Sequence, residues 1–152
     1  MKKNDIIEFA RLRAAQFSLP PELVCAVIEQ ESRWDSWAVR YEPAFPNKYV
    51  DPLRLSGQLK SFGATKDTES TLRSCSFGLM QVMGQVAREH GLEAPFLTEL
   101  CNPERGLELG CSHLAKKLEQ AEGDTTRALQ LWNGGGNPNY AAEVLARIGG
   151  YR

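Results

Sequence analysis

The sequence predicts a helical fold in a single domain, on three observations. Apolar residues recur at helical spacing in segment after segment, proline, asparagine and glycine stand where helices start and stop, and the length suits one core. With 152 residues and 42% hydrophobic content the chain can bury a real core but has little room for a second one, so 1–152 reads as one domain. Eighteen basic side chains face nineteen acidic ones, for a formal net charge of -1, and no run of Lys or Arg exceeds two. Nucleic acid is therefore not an expected partner, and a monomer is. Asp5, Glu8, Arg11 and Arg13 interrupt any apolar stretch behind the two N-terminal lysines, so no signal peptide is read, and no segment is long enough for stable membrane insertion. Cys25, Cys75, Cys101 and Cys111 form no C-x-x-C pair and only His90 and His113 accompany them, so neither a metal site nor a cofactor is expected. Cys101 and Cys111 could in principle be bridged, although without an export signal free thiols are expected.

Asn4 can cap a first helix reaching about Phe17, with Ile6, Ile7, Ala10, Ala14 and Phe17 on one side. Leu19-Pro20-Pro21 then resets the chain, because proline suits a helix's first turn and disfavours helix before it. In the second helix Leu23, Val27 and Glu31 fall at i, i+4 and i+8, so a carboxylate ends a core-facing stripe near a loop. Glu29 lies about 200° around the helix, on the side of Glu22, Cys25 and Ala26, and is expected to be solvated. A carboxyl at the edge of an apolar face is suited to act as an acid near neutrality. On spacing alone, however, a structural or solvated Glu31 is the commoner outcome for a glutamate near a helix end.

Residues 33–75 show no clean period and are interrupted by Pro43, Pro46, Pro52, Gly57 and Gly63. A loop this long in a small domain is usually functional. Its aromatics Trp34, Trp37, Tyr41, Phe45 and Tyr49 could stack on sugar rings or close over the core, while Arg54, Lys60, Lys66 and Arg73 give it a solvated, mobile character. Ser76 is a good N-cap for a helix from Phe77 to a stop at Gly91. Gly78 in its first turn suggests that something approaches the backbone closely, with Met80 and Gln81 lining that approach. Asn102-Pro103-Glu104 opens the longest helix, whose Leu107, Cys111, Leu114 and Leu118 form a core stripe and whose His113 lies off it, expected exposed. Gly123 ends this helix and Asp124 caps a short one carrying Ala128, Leu129, Leu131 and Trp132. The run Asn133-Gly134-Gly135-Gly136-Asn137-Pro138 is a turn, or a place where backbone approaches a ligand, and lacks the Lys-Ser/Thr of a phosphate loop. Asn137 or Asn139 can start a final helix with Tyr140, Val144 and Ile148 on one face.

The order of these pieces carries more than any one of them. Glu31-Ser32 at a helix end, Ser76-Phe77-Gly78-Leu79-Met80-Gln81, an Asn-Pro-Glu-opened helix with Gly110, Leu131-Trp132-Asn133-x-Gly135 and then Tyr140 follow one another as in the soluble lytic transglycosylase family, which this sequence resembles from about Leu19 to Ile148. Gly-Leu-Met-Gln after Glu-Ser is the most specific part. It looks closest to forms found in bacteriophages and prophages, on the run Trp37-Ala38-Val39-Arg40-Tyr41-Glu42-Pro43 and on an insert at about 41–75 where other members have a brief loop.

The resemblance implies an all-α, lysozyme-like single domain and a substrate of peptidoglycan glycan strands. It implies that Glu31 protonates the β-1,4 oxygen between MurNAc and GlcNAc, then takes the proton of the MurNAc 6-hydroxyl as it closes onto C1, leaving a 1,6-anhydroMurNAc end without water. One carboxyl can serve twice because the first step leaves it deprotonated. The family relies on the substrate's N-acetyl group at C1, whereas glycosidases that use water or a protein nucleophile generally need two carboxyls. Asp35, Glu42 and Asp51 could approach Glu31, but no spacing requires it. By the same carry-over Ser76, Met80, Gln81, Trp132, Asn133 and Tyr140 are substrate-side positions, joined by Tyr41 of the loop. Two departures stand out: Trp132 replaces the family's tyrosine, leaving an indole N–H that can only donate, and Arg40 replaces a serine that touches an N-acetyl group. The alternatives are a hydrolytic goose-type muramidase and a non-catalytic wall-binding or virion structural protein, the latter favoured if Glu31 is exposed. The protein is expected to be made in the cytoplasm and to act on the cell wall, or to be carried by a phage particle.

Overall fold

A computed structural model describes all residues, 1–152. In chain order the elements are α1 (Lys3–Gln16), α2 (Pro21–Ser32), β1 (Val39–Tyr41), a π-helical turn (Pro46–Val50), α3 (Asp51–Leu55), α4 (Lys66–Arg73), β2 (Cys75–Phe77), β3 (Val82–Met83), α5 (Gly84–Glu89), a 3-10 turn (Leu97–Cys101), α6 (Pro103–Gln120), α7 (Thr125–Asn133), α8 (Tyr140–Leu145) and a closing 3-10 turn (Ile148–Tyr151). Helices dominate, as the sequence predicts. The contacts divide the chain into two compact units, Met1–Trp34 with Gly110–Arg152, and Asp35–Leu109.

The first unit is built around α2. Pro21 stands in its first turn, and Leu23 to Ile28 are buried six in a row, because α1, α8 and the closing 3-10 turn all pack on it. Such a helix is covered on every side, so Cys25 and Ala26, which spacing placed on a solvated flank, are core residues. Ile6, Ala10 and Ala14 face inward from α1, the alanines permitting close approach. Its start differs from expectation: the backbone N–H of Lys2 donates to Asp5 Oδ2 (3.2 Å), in place of an Asn4 cap. Asp124 caps α7 by accepting from the Arg127 N–H (3.1 Å). All four cysteines are free and buried, and burial pushes the Cys111 thiol up to about 12, which makes it an apolar filler.

The second unit carries a three-stranded antiparallel sheet in the order β1-β2-β3, with Val39 opposite Phe77, Tyr41 opposite Cys75 and Ser76 opposite Met83. Ser76 is thus the middle of a strand, and the helix expected from Phe77 starts only at Gly84. The cause is Gly78, whose φ of +73° no helix contains, and whose missing Cβ would lie 2.4 Å from the Leu100 carbonyl oxygen. What approaches the backbone there is the protein itself.

The 41–75 insert is also more structured than its composition suggests. Thr65 caps α4, and Glu69 on that helix is fully buried. Its carboxylate accepts from Arg73 Nε (2.9 Å), Arg88 Nε (2.7 Å) and Arg88 Nη2 (3.1 Å). Arg73 also donates to Gln85 Oε1 and the Lys60 carbonyl, Arg88 to the carbonyls of Leu92 and Ala94, and Phe62 lies against the Arg88 guanidinium. Arg73, expected to be solvated, is one half of a buried clamp that ties α4 to α5. Burial alone would push the Glu69 carboxyl up, but the hydrogen bonds and charges of Arg88 and Arg73 outweigh it and hold it below the usual range.

Candidate active site

Two of the sequence-predicted residues of the first unit, Trp132 and Tyr140, meet at Glu31. It sits half-buried in the last turn of α2, which ends as Arg33 (φ 52°) and Trp34 (φ 70°) take left-handed backbone. Trp132 comes from the end of α7 and Tyr140 from the start of α8, separated by a turn in which Gly134 caps α7 with φ +70°. Trp132 Nε1 donates to Glu31 Oε1 at 2.9 Å and the Tyr140 hydroxyl donates to the same oxygen at 2.5 Å. The indole supplies one donor and the phenol the other. Both donors thus converge on one oxygen of the carboxyl.

Tyr140 is buried. Burial, the charge of Glu31 and the bond donated to it all push the phenol well above its ordinary range, so the hydroxyl stays a donor. Asn133 Nδ2 donates to the Asn137 carbonyl (3.1 Å), Asn137 Nδ2 to Glu143 Oε2 (3.1 Å), and Gln30 Nε2 to that same oxygen (2.7 Å). The glycine turn is thereby tied through Glu143 to the residue preceding Glu31. Spacing did not single out Gln30 or Glu143 and marked Asn137 only as a possible helix start; the signal available was a glutamate three residues after Tyr140. His113 is half-buried with its ring 5.4 Å from that of Trp132, where exposure was expected. Glu29 is likewise not solvated: it is half-buried and accepts from the Tyr151 hydroxyl at 2.8 Å.

In the second unit, the Ser76 hydroxyl donates to Gln81 Oε1 (2.8 Å), and Gln81 Nε2 donates to the carbonyls of Ala38 (2.9 Å) and Gly78 (3.0 Å). This network fixes the turn between β2 and β3, in which Gln81 itself has φ 50°. Ser76 is almost fully buried, and Met80, expected to line an approach, exposes 0% of its surface. Tyr41 is 49% exposed on β1. Of the further acids considered, Asp35 accepts from the Trp37 N–H (2.9 Å), Glu42 pairs with Arg40 (2.7 Å), and Asp51 opens α3. No three His, Cys, Asp or Glu side chains converge where they could hold a metal ion, and no helix is long and apolar enough to cross a membrane.

Fold and site together define a helical, lysozyme-like domain with an acid held by two donors at a helix end. The chain matches the family described as the transglycosylase SLT domain over residues 8–146, and it belongs to that family. No curated protein and no solved structure matches it.

Proposed function

We propose that the protein is a peptidoglycan lytic transglycosylase in which Glu31 is both acid and base, and that its two compact units work as one catalytic domain. The family match, which runs through both units, supports the second point. The observation that carries the first is the pair of donors on Glu31 Oε1. They fix the orientation of the carboxyl that delivers the proton, since it cannot rotate without breaking both bonds.

Delivery of that proton to the glycosidic oxygen breaks the bond to MurNAc C1 and leaves positive charge there, which the substrate's own N-acetyl group can stabilise. The Glu31 carboxylate then removes the 6-hydroxyl proton, O6 bonds to C1, and the carboxyl is restored to its starting state with no water consumed. Trp132 and Tyr140 stabilise the carboxylate between the steps, when it is fully charged. Asn133 shapes the turn beside them, Ser76 and Gln81 hold the β2–β3 turn in the form the glycan meets, and exposed Tyr41 offers a ring face to a sugar. The protein acts on the cell wall, and the 41–75 insert supports a phage-type member of the family.

The test is mass spectrometry of fragments released from purified sacculi by the wild-type protein and by Glu31→Gln. Fragments one water lighter than lysozyme products, lost in the variant by about 10²- to 10⁴-fold, are the expected result. Hydrated reducing ends would instead identify a muramidase, and full activity in the variant would remove Glu31 from the mechanism.

A further inference from the structure

We propose that Tyr151 is a positioning residue for Glu31, pinning the left-handed turn that ends α2; this rests on the reading of Glu31 as the acid. Tyr151 lies beyond the segment that matches the family, in the 3-10 turn Ile148–Tyr151, which packs on α2. Its hydroxyl is used twice, donating to Glu29 Oε2 at 2.8 Å and accepting from Trp34 Nε1 at 3.0 Å. The two rings also meet, with centroids 5.7 Å apart and planes tilted by 54°. Tyr151 is itself held, because Arg11 Nη2 on α1 donates to its carbonyl at 2.7 Å. Trp34 is covered on another side by the Lys3 ammonium, 5.6 Å from the ring centroid.

The turn needs such a hold. Arg33 and Trp34 are consecutive non-glycine residues with φ of 52° and 70°, a conformation that side chains disfavour and that persists only where surroundings over-determine it. Glu29 and Trp34 bracket Glu31 in sequence, so one hydroxyl grips the helix end on both sides of the acid. If the last turn of α2 unwound, Glu31 Oε1 would lose its register with Trp132 and Tyr140, whose bonds leave little slack at 2.9 and 2.5 Å. Burial and the bond donated to Glu29 push the Tyr151 phenol up to about 12, so the pin stays protonated at any physiological pH.

The experiment compares Tyr151→Phe, Trp34→Phe and their double variant in the full chain, with Ile6→Val as a core-destabilised control and Glu31→Gln as the inactive reference. We expect each single variant to lower kcat on sacculi about tenfold or more with KM little changed. The double variant should lose no more than the worse single one, and Ile6→Val should keep its kcat. Hydrogen exchange of amides 31–35 should quicken in Tyr151→Phe. Full kcat in folded Tyr151→Phe while Glu31→Gln is inactive would overturn the pin alone, as would additive losses or unchanged exchange; an active Glu31→Gln would instead overturn the acid on which it acts.

Discussion

The Tyr140 hydroxyl lies 2.5 Å from Glu31 Oε1, across 109 residues of sequence, and donates to it from a buried position. A hydrogen bond to an ionised group is worth about 1.5–3 kcal/mol, and in the proposed reaction this one gains strength as the carboxylate becomes fully charged after proton transfer. Tyr140→Phe is therefore expected to lower kcat by roughly ten- to a hundredfold and to change KM little, since binding of intact glycan does not call on that charge. Steady-state kinetics on sacculi or defined glycan chains checks this. An unchanged kcat would show that the bond does not serve the reaction.

Trp132 makes the companion bond through its indole N–H. Trp132→Phe keeps an aromatic ring beside His113 but removes the donor, and is expected to cost about tenfold in kcat. Trp132→Tyr restores a donor and should retain more activity than Phe. If the two variants are equally active, ring packing rather than donation is what the position supplies.

Glu31, Trp132, Asn133 and Tyr140 are picked out by the order of motifs in which the sequence resembles the family, since spacing alone favours a solvated Glu31 and marks the others only by local signals. Glu31 ends an apolar stripe, Trp132 ends a capped helix, and Tyr140 follows a glycine turn; helical spacing and cap chemistry act over a few residues. What escaped is what distant segments do to one another. Glu69 meets Arg88 at a separation of 19 residues, and Trp34 meets Tyr151 at 117, so neither pair has a period to betray it. Strands of three and two residues are too short for alternation to show. Gly78 pointed correctly to a close backbone approach and wrongly to a helix start, since a glycine alone does not reveal the sign of its φ.

Glu69 offers a test of what orders the insert. Glu69→Ala would leave the Arg73 and Arg88 guanidinium groups buried without their carboxylate and is expected to destabilise the fold by about 3–5 kcal/mol. The pH dependence follows from the lowered carboxyl. A group whose folded pKa lies below its unfolded value, about 4.3 for Glu, contributes stability that is fully present above that value and is lost as pH falls through the folded one. The gap in unfolding free energy between wild type and Glu69→Gln should thus be constant near neutrality and narrow below about pH 4. Urea unfolding at a series of pH values checks it; a gap that widened on acidification would mean the carboxylate is not held by its arginines.

Gly78 separates backbone demand from sequence habit. An alanine there would have to hold a φ of +73° and place its Cβ 2.4 Å from the Leu100 carbonyl oxygen, which belongs to the 3-10 turn Leu97–Cys101 and has little freedom to retreat. The strain of the left-handed backbone alone costs about 1–2 kcal/mol, and relief of the clash must move either the β2–β3 turn or that 3-10 turn. Moving the former disturbs the Gln81 side chain, which bridges the Gly78 and Ala38 carbonyls and accepts from Ser76. Gly78→Ala is accordingly expected to lose more than about 2 kcal/mol in chemical unfolding and, in the fraction still folded, to raise KM more than it lowers kcat, because Glu31 and its donors lie in the other unit. Gly91→Ala is the control: it too has positive φ, at +86°, but no atom stands within 4 Å of the added Cβ, so it should show the conformational cost without the clash. Equal destabilisation of the two variants would mean that φ, and not the press of Leu100, is what reserves position 78 for glycine.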